Sequence, residues 1–431
     1  MEKYNIFWFR RDLRLYDNHG LSKATLENLK VIPIFIFDTS ITDKLPLGDR
    51  RVNFIYDNLV NVNSELKEVY NSSLSVFKGE PLKIFKDLIS NHNIDSVFTN
   101  NDYEPYALKR DKSIKDLLIN KGIKFKSFKD QVIFEKNEIV KDDGKPYVVY
   151  TPFMKKWKAT LLKDLSHLDE KKIINNFYHK SISKLLKLND YDFNESESKI
   201  QAFKLNRDIV INYAEQRNFP NLNSTSKIGP YLRFGTVSIR KIVNGLLSFK
   251  DDTFLKELVW REFFMQILYH FPYTAKDSFK PKYDKIVWLN EDKSFESWKN
   301  GSTGYPLIDA GMHELNKTGF MHNRVRMITA SFLCKHLLID WRWGEKYFAL
   351  KLNDYEMASN VGNWQWASGS GVDAAPYFRI FNPHTQIQKF DKKRDYISKW
   401  INEHTEDYPD EIIDHKFARL RCLNTYKKYL D

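Results

Sequence analysis

Short apolar runs alternate with longer stretches of helical period over the first 130 residues. The runs at 6–9, 31–37, 74–77, 96–99 and 124–128 read as strands. Between them, 51–70, 81–91 and 107–121 carry apolar residues at helical spacing and are predicted helices. Strands that are apolar on both faces and alternate with helices predict a parallel, doubly wound sheet, because helices must cover both faces. No GxGxxG follows any of these strands, so the usual fingerprint of a dinucleotide site is missing. From 131 to 200 the pattern weakens, and 142–146 and 189–198 are polar and turn-forming. Beyond 200 the strand pattern disappears and helical period dominates, as at 254–269, 306–316 and 323–338. The expected organisation is an α/β domain over 1–130, a connector over 131–200 and a helical domain over 201–431.

Composition narrows the partners. The chain has 431 residues and a formal net charge of +12, which favours an anionic partner, with nucleic acid first. Cys334 and Cys422 are the only cysteines, so a disulfide framework or thiolate metal cluster is excluded. The 11 histidines form no HExxH pair, and no metal is expected. The apolar start is interrupted by Arg10 and Arg11, and no later run is long enough to span a bilayer. A cytoplasmic monomer without membrane association is the expectation. Eight of the 10 tryptophans fall between Trp260 and Trp400, which suits either a large helical core or a site for flat aromatic ligands.

Four segments carry candidate chemistry. In the stretch YAEQRNFPNLNSTSKIGPYLRFG, hydroxyl and amide side chains precede a helical run, a pattern that caps a helix or cradles a phosphate. In FLKELVWREFF, Glu257, Trp260, Arg261 and Phe264 fall on one helical face, placing a carboxylate, an indole and a guanidinium together. Asn323, Arg326 and Met327 form one helical stripe with Arg324 on its flank, which suits a heteroaromatic ligand better than a core. The stretch NDYEMASNVGNWQWASGSGVDAAPYF mixes acids, amides, indoles and small residues, which is poor core composition.

The blocks TGYPLIDAGM, HNRVRMITASFL, LLIDWRWGEKYF and NWQWASGSGVDAAPYFRIFNP resemble the FAD domain of the photolyase/cryptochrome family. WFRRDLRLYDNHGL is similar to that family's opening strand and loop. The resemblance runs from residue 4 to about 402 and is nearest to the class I enzymes acting on cyclobutane pyrimidine dimers. It implies an α/β domain, a helical FAD domain and light-driven repair of UV-damaged DNA. A blue-light receptor of cryptochrome type and a (6-4) photolyase are the alternatives.

By that resemblance Tyr213 and Thr225, Ser226, Lys227, Ile228 and Gly229 hold the FAD phosphates. Arg261, Asn323 and Arg326 contact the flavin, Asp354, Tyr355 and Glu356 lie near its ring and ribityl chain, and Asn360 faces its N5. Trp364, Trp341 and Trp288 form the electron-transfer chain from flavin to surface. Glu257, Trp260, Asn323, Arg324, Met327 and Trp366 face the substrate, with Arg217, Arg324 and Arg379 on neighbouring phosphates. Methionine at 327, where a (6-4) enzyme carries histidine, cannot donate a proton. Asparagine at 360, where a plant receptor carries aspartate, points the same way. For a second, antenna chromophore, NDYEPYALKRD offers Tyr106 and Ala107 where folate-binding relatives carry Glu and Asn. Folate is disfavoured there, while a deazaflavin, a flavin mononucleotide or an empty site stays open.

Overall fold

The computed structural model describes residues 2–430. Five strands form one sheet: β1 (Tyr4–Phe9), β2 (Val31–Asp38), β3 (Ser75–Gly79), β4 (Ile94–Asn100) and β5 (Lys124–Phe128). All pairings are parallel, in the order β3-β2-β1-β4-β5. β1 and β2 are buried throughout, so their continuous apolar runs follow from cover on both faces. The helices α1 (Arg50–Tyr70), α2 (Pro81–Asn91) and α3 (Pro105–Ile119) supply part of that cover. One apolar cluster on β1 and β2 gathers Phe7, Phe9, Phe35 and Phe37, and another gathers Ile6, Trp8, Ile32 and Ile34. The two sets are the alternating side chains of the same strands.

Contacts divide the chain into two units, and the division differs from a simple three-part order. The α/β unit comprises 1–139, 156–202 and 228–248; the helical unit comprises 140–155, 203–227 and 249–431. The 156–202 stretch is therefore no free connector. Within the α/β unit, Phe177 forms a parallel bridge to Val31 at the start of β2, and Tyr191 and Phe193 join the core. The 228–248 segment is tied in by buried charge: Arg240 bonds Asp17 and Asp130, and Arg14 bonds Asp130. Sequence periodicity cannot register such ties, because they join residues far apart in the chain.

The Tyr150–Lys163 helix is α4, and its first turn belongs to the helical unit. That unit also holds α5 (Arg207–Gln216), α6 (Thr253–His270), α7 (Pro306–Thr318), α8 (Asn323–Ser331), α9 (Trp341–Lys351), α10 (Met357–Ser368), α11 (Pro383–Phe390) and α12 (His415–Leu430). Its core centres on Trp298, Tyr305, Phe332, Trp341, Phe348 and Trp364. The helix expected over 323–338 is interrupted: α8 ends at Ser331 and a π-helical turn spans Phe332–His336. That wider turn is buried, and Lys335 Nζ within it donates to the Arg379 carbonyl at 2.8 Å. No described helix is long and apolar enough to cross a membrane.

Candidate functional site: a polar and aromatic cavity in the helical unit

Two tight helix contacts frame the site. Gly362 of α10 packs against Phe264 of α6, and Gly344 of α9 packs against the Trp364 indole; a Cβ at either glycine would collide with the ring. A glycine is required at both positions because a helix backbone approaches an aromatic ring there. Beside these contacts lies a cavity of about 570 Å³, its open mouth included, lined by Asn323, Arg326 and Met327 from α8, Asp354 and Glu356 from the loop before α10, and Asn360, Trp364 and Trp366 from α10.

The helix starts decide which side chains reach it. His322 caps α8, its Nδ1 accepting the Arg324 N–H at 3.2 Å. Three- and four-residue spacing then sets Asn323, Arg326 and Met327 on one side. Asn323 is exposed at the rim while Arg326 and Met327 are half-buried. Sequence reasoning passed over His322. Burial, then Arg326 and Arg324, lower its pKa to about 4, so the imidazole is neutral at pH 7 and can accept.

Each acid of the expected pair is matched to its own arginine. Arg326 reaches Asp354 at 3.0 Å and also donates Nε–H to the Met321 carbonyl at 2.7 Å. Arg261 reaches Glu356 at 3.0 Å, with side chains only 13% and 6% exposed. α6 explains the reach of Arg261: 11 of its residues are buried, whereas Glu257, Trp260 and Arg261 form a half-buried stripe. Phe264, expected on that stripe, is itself buried.

Asn360 donates Nδ2–H to the Glu345 carboxylate at 3.0 Å and to the Glu345 carbonyl at 3.1 Å. Its amide hydrogens are thereby committed, and its carbonyl oxygen is what it can offer a ligand. Burial raises the pKa of Glu345. The sequence reading missed this residue, although it stands inside the LLIDWRWGEKYF block and four residues after Trp341. Behind the cavity Trp364 is buried, with Phe348 at 4.9 Å and Trp298 at 6.1 Å, both edge-on. Trp341 is buried under the Arg342 guanidinium at 4.8 Å. Trp288 is half-buried and meets Tyr426 edge-on at 6.0 Å.

The residues expected to meet DNA fall outside the cavity wall, Asn323, Met327 and Trp366 excepted. Arg217 is ion-paired with Glu257, so two groups expected to contact different parts of a substrate hold each other. Burial raises the pKa of Glu257 despite that partner. Tyr213 is half-buried, its ring 4.8 Å from Phe254. Arg324 donates to Asn218 at 2.6 Å and lies 4.4 Å above the Phe390 ring. Burial first, then Arg217 and Arg379, lower the Arg324 pKa, so these three guanidiniums share one neighbourhood. Arg379 is exposed. Trp260 stacks on Tyr150 and not on Trp366.

Of the six residues expected at the FAD phosphates, Tyr213 among them, Ser226 accepts the Lys204 N–H through its carbonyl at 2.8 Å. Lys227 takes a left-handed backbone, φ 55°, and its ammonium lies 5.5 Å from the Phe320 ring. Thr225 is half-buried, and Ile228 and Gly229 open a short helix, Gly229–Arg233. In the α/β unit, Glu104 of the expected antenna stretch pairs with Arg11 at 3.2 Å and Arg233 at 3.4 Å. Tyr106 donates its hydroxyl to Asp38 at 2.7 Å. No group of three or more acidic, histidine or cysteine side chains suited to a metal occurs among the described residues.

The chain matches the family model for DNA photolyase over residues 5–171 and the model for the FAD binding domain of DNA photolyase over residues 254–406. A deoxyribodipyrimidine photo-lyase of Agrobacterium fabrum is 36% identical, over 98% of this chain and 97% of that protein. A class III photolyase of Agrobacterium tumefaciens superposes with a TM-score of 0.88 at 34% identity, over 100% of this chain and 98% of that one. An archaeal photolyase of Sulfolobus tokodaii, solved with two FAD molecules, gives 0.86 at 33% identity, over 98% and 99%. A class III enzyme matches end to end, so these matches reach the family and not the class I placement expected from the motifs. With both family models on it and relatives this similar along its full length, the chain belongs to the DNA photolyase family.

Proposed function

We propose that this protein binds FAD in the cavity of the helical unit and uses it, in light, to split cyclobutane pyrimidine dimers in DNA. One observation carries the reading: Met327, Asn323 and Trp366 line the same cavity as Asn360, Trp364, the Arg326–Asp354 pair and Glu356, the carboxylate that Arg261 holds. The donor set fits a flavin. Asp354 Oδ1 is buried without a hydrogen-bond partner among the described residues, an acceptor available to an N–H or O–H group, and flavin carries both. Asn360 offers a carbonyl, and Arg261 and Arg326 hold fixed positive charge in a partly dry site, where it acts most strongly.

Bound and reduced, FAD supplies the excited-state electron that opens the cyclobutane ring; the protein's task is position and electrostatics. Arg326 and Arg261 are held in place by Asp354 and Glu356. Asn323 presents an amide, and Met327 and Trp366 an apolar surface, to a flipped lesion whose stacking is already weakened. Met327 has no proton to give, which separates this reading from a (6-4) enzyme. Glu257 meets a pyrimidine edge as part of its pair with Arg217. Arg217, Arg324 and Arg379 draw in phosphates. Trp364, Trp341 and Trp288 relay electrons that keep the cofactor reduced, each held by the packing described above. Purified protein under blue light is expected to repair dimer-containing oligonucleotides without added metal. Equal or better repair of (6-4) lesions, or repair of neither, would overturn the assignment.

A further inference from the structure

Trp260 projects from the half-buried stripe of α6, where its own helix supplies the Phe264 ring at 5.5 Å, 28° from parallel. The closer ring comes from a distant segment. The Tyr150 ring, 8% exposed, lies flat on the indole with centroids 3.6 Å apart and planes 7° from parallel. Three further ties hold that ring. Tyr150 Oη donates to the Lys256 carbonyl at 2.8 Å, one turn before Trp260 on α6. The Tyr150 backbone N–H donates to Asp373 at 3.1 Å, in the loop following α10. Phe263 meets the Tyr150 ring edge-on at 5.9 Å and the Trp260 indole edge-on at 5.6 Å. A tryptophan side chain has two faces, and here one is occupied before any ligand arrives.

We propose that Tyr150 is the positioning residue for Trp260: it takes one face of the indole and thereby fixes the plane and the single face that a flipped lesion meets. The bond to Asp373 anchors the Tyr150 backbone to the segment after α10. Pre-set aromatic planes lower the ordering cost of binding, and an aromatic pair contributes about 0.5–1.5 kcal/mol beyond its buried area. The inference rests on the dimer-repair reading above.

The test compares affinity for an oligonucleotide carrying one cyclobutane dimer with affinity for the same undamaged sequence, in the flavin-containing protein. Tyr150→Leu is expected to lower this discrimination ratio up to about tenfold while flavin absorbance and photoreduction stay unchanged. Tyr150→Phe keeps the stack and is expected to hold the ratio within about twofold. A merely structural role would lower the folded fraction and both affinities together, leaving the ratio unmoved. An unmoved ratio in Tyr150→Leu, or an equal loss in Tyr150→Phe, overturns the proposal. Should the leucine variant not fold, Tyr150→Met keeps much of the volume, loses the ring, and is read the same way. If the wild type itself shows no preference for the dimer, the dimer reading fails and this inference with it. If the wild type prefers the dimer and Tyr150→Leu does so equally, the inference alone fails.

Discussion

Two sets of arginines in the helical unit are built on opposite rules. Arg261 and Arg326 each face one carboxylate, Glu356 or Asp354, at 3.0 Å. Arg217 and Arg379 both lie near Arg324, and among the described residues only Arg217 of the three has an ion-pair partner, Glu257. Burial explains the difference. A guanidinium at a cavity wall needs its charge matched, whereas one near the surface can keep a positive field for an incoming anion. The first set is suited to shaping a fixed pocket and the second to meeting phosphates, where affinity grows with released counterions. His322 stands between them, capping the helix that carries both Arg324 and Arg326.

Removing a buried cation should show the contrast most strongly. Arg261→Ala strips Glu356 of its guanidinium in a site 6% exposed, and a loss of about 3–5 kcal/mol is expected in chemical denaturation. Glu356→Gln added to that variant should restore part of the stability by removing the stranded charge, without restoring flavin content. A loss below about 1 kcal/mol would show that the pair is no more than a surface bridge.

Acid comes next. Unfolded, the His322 imidazole takes a proton near pH 6.5, while folded it resists until about pH 4. The folded state is therefore fully favoured above 6.5 and loses stability as pH falls through that window, by about 3 kcal/mol from this residue. His322→Asn keeps a cap acceptor and does not titrate, so its stability curve should be flatter between pH 6.5 and 4. Identical slopes in the two proteins would place the acid sensitivity elsewhere.

The smallest effect on the fold is expected in the second set. Arg324→Ala should change stability by about 1 kcal/mol or less, since it loses an arene contact and one bond to Asn218. DNA affinity should fall, and the slope of log affinity against log salt should shrink by about one. An unaltered slope would remove Arg324 from the phosphate contacts.

The sheet was legible because its strands are apolar on both faces, and the predicted strand ends differ from the observed ones by two residues at most. The Asn323–Arg326–Met327 stripe was legible for a similar reason, since helical spacing alone places those side chains together. What escaped is tertiary. The pairing of Arg261 with Glu356 joins residues 95 positions apart by number, and the Tyr150–Trp260 stack joins two separate segments. Glu345 and His322 sat inside the LLIDWRWGEKYF and HNRVRMITASFL blocks, yet the shifts in their pKa come from burial that a linear pattern does not display. The π turn at Phe332–His336 likewise leaves helical spacing intact on both sides.

The most direct measurement is the absorption spectrum of the purified protein before and after blue light, in wild type and in Arg261→Ala. The account predicts flavin bands that bleach on illumination in the wild type and are weak or lost in the variant. A wild-type protein without flavin absorbance, or a variant that keeps flavin undiminished, would contradict the claim that the arginine–carboxylate cavity holds the cofactor.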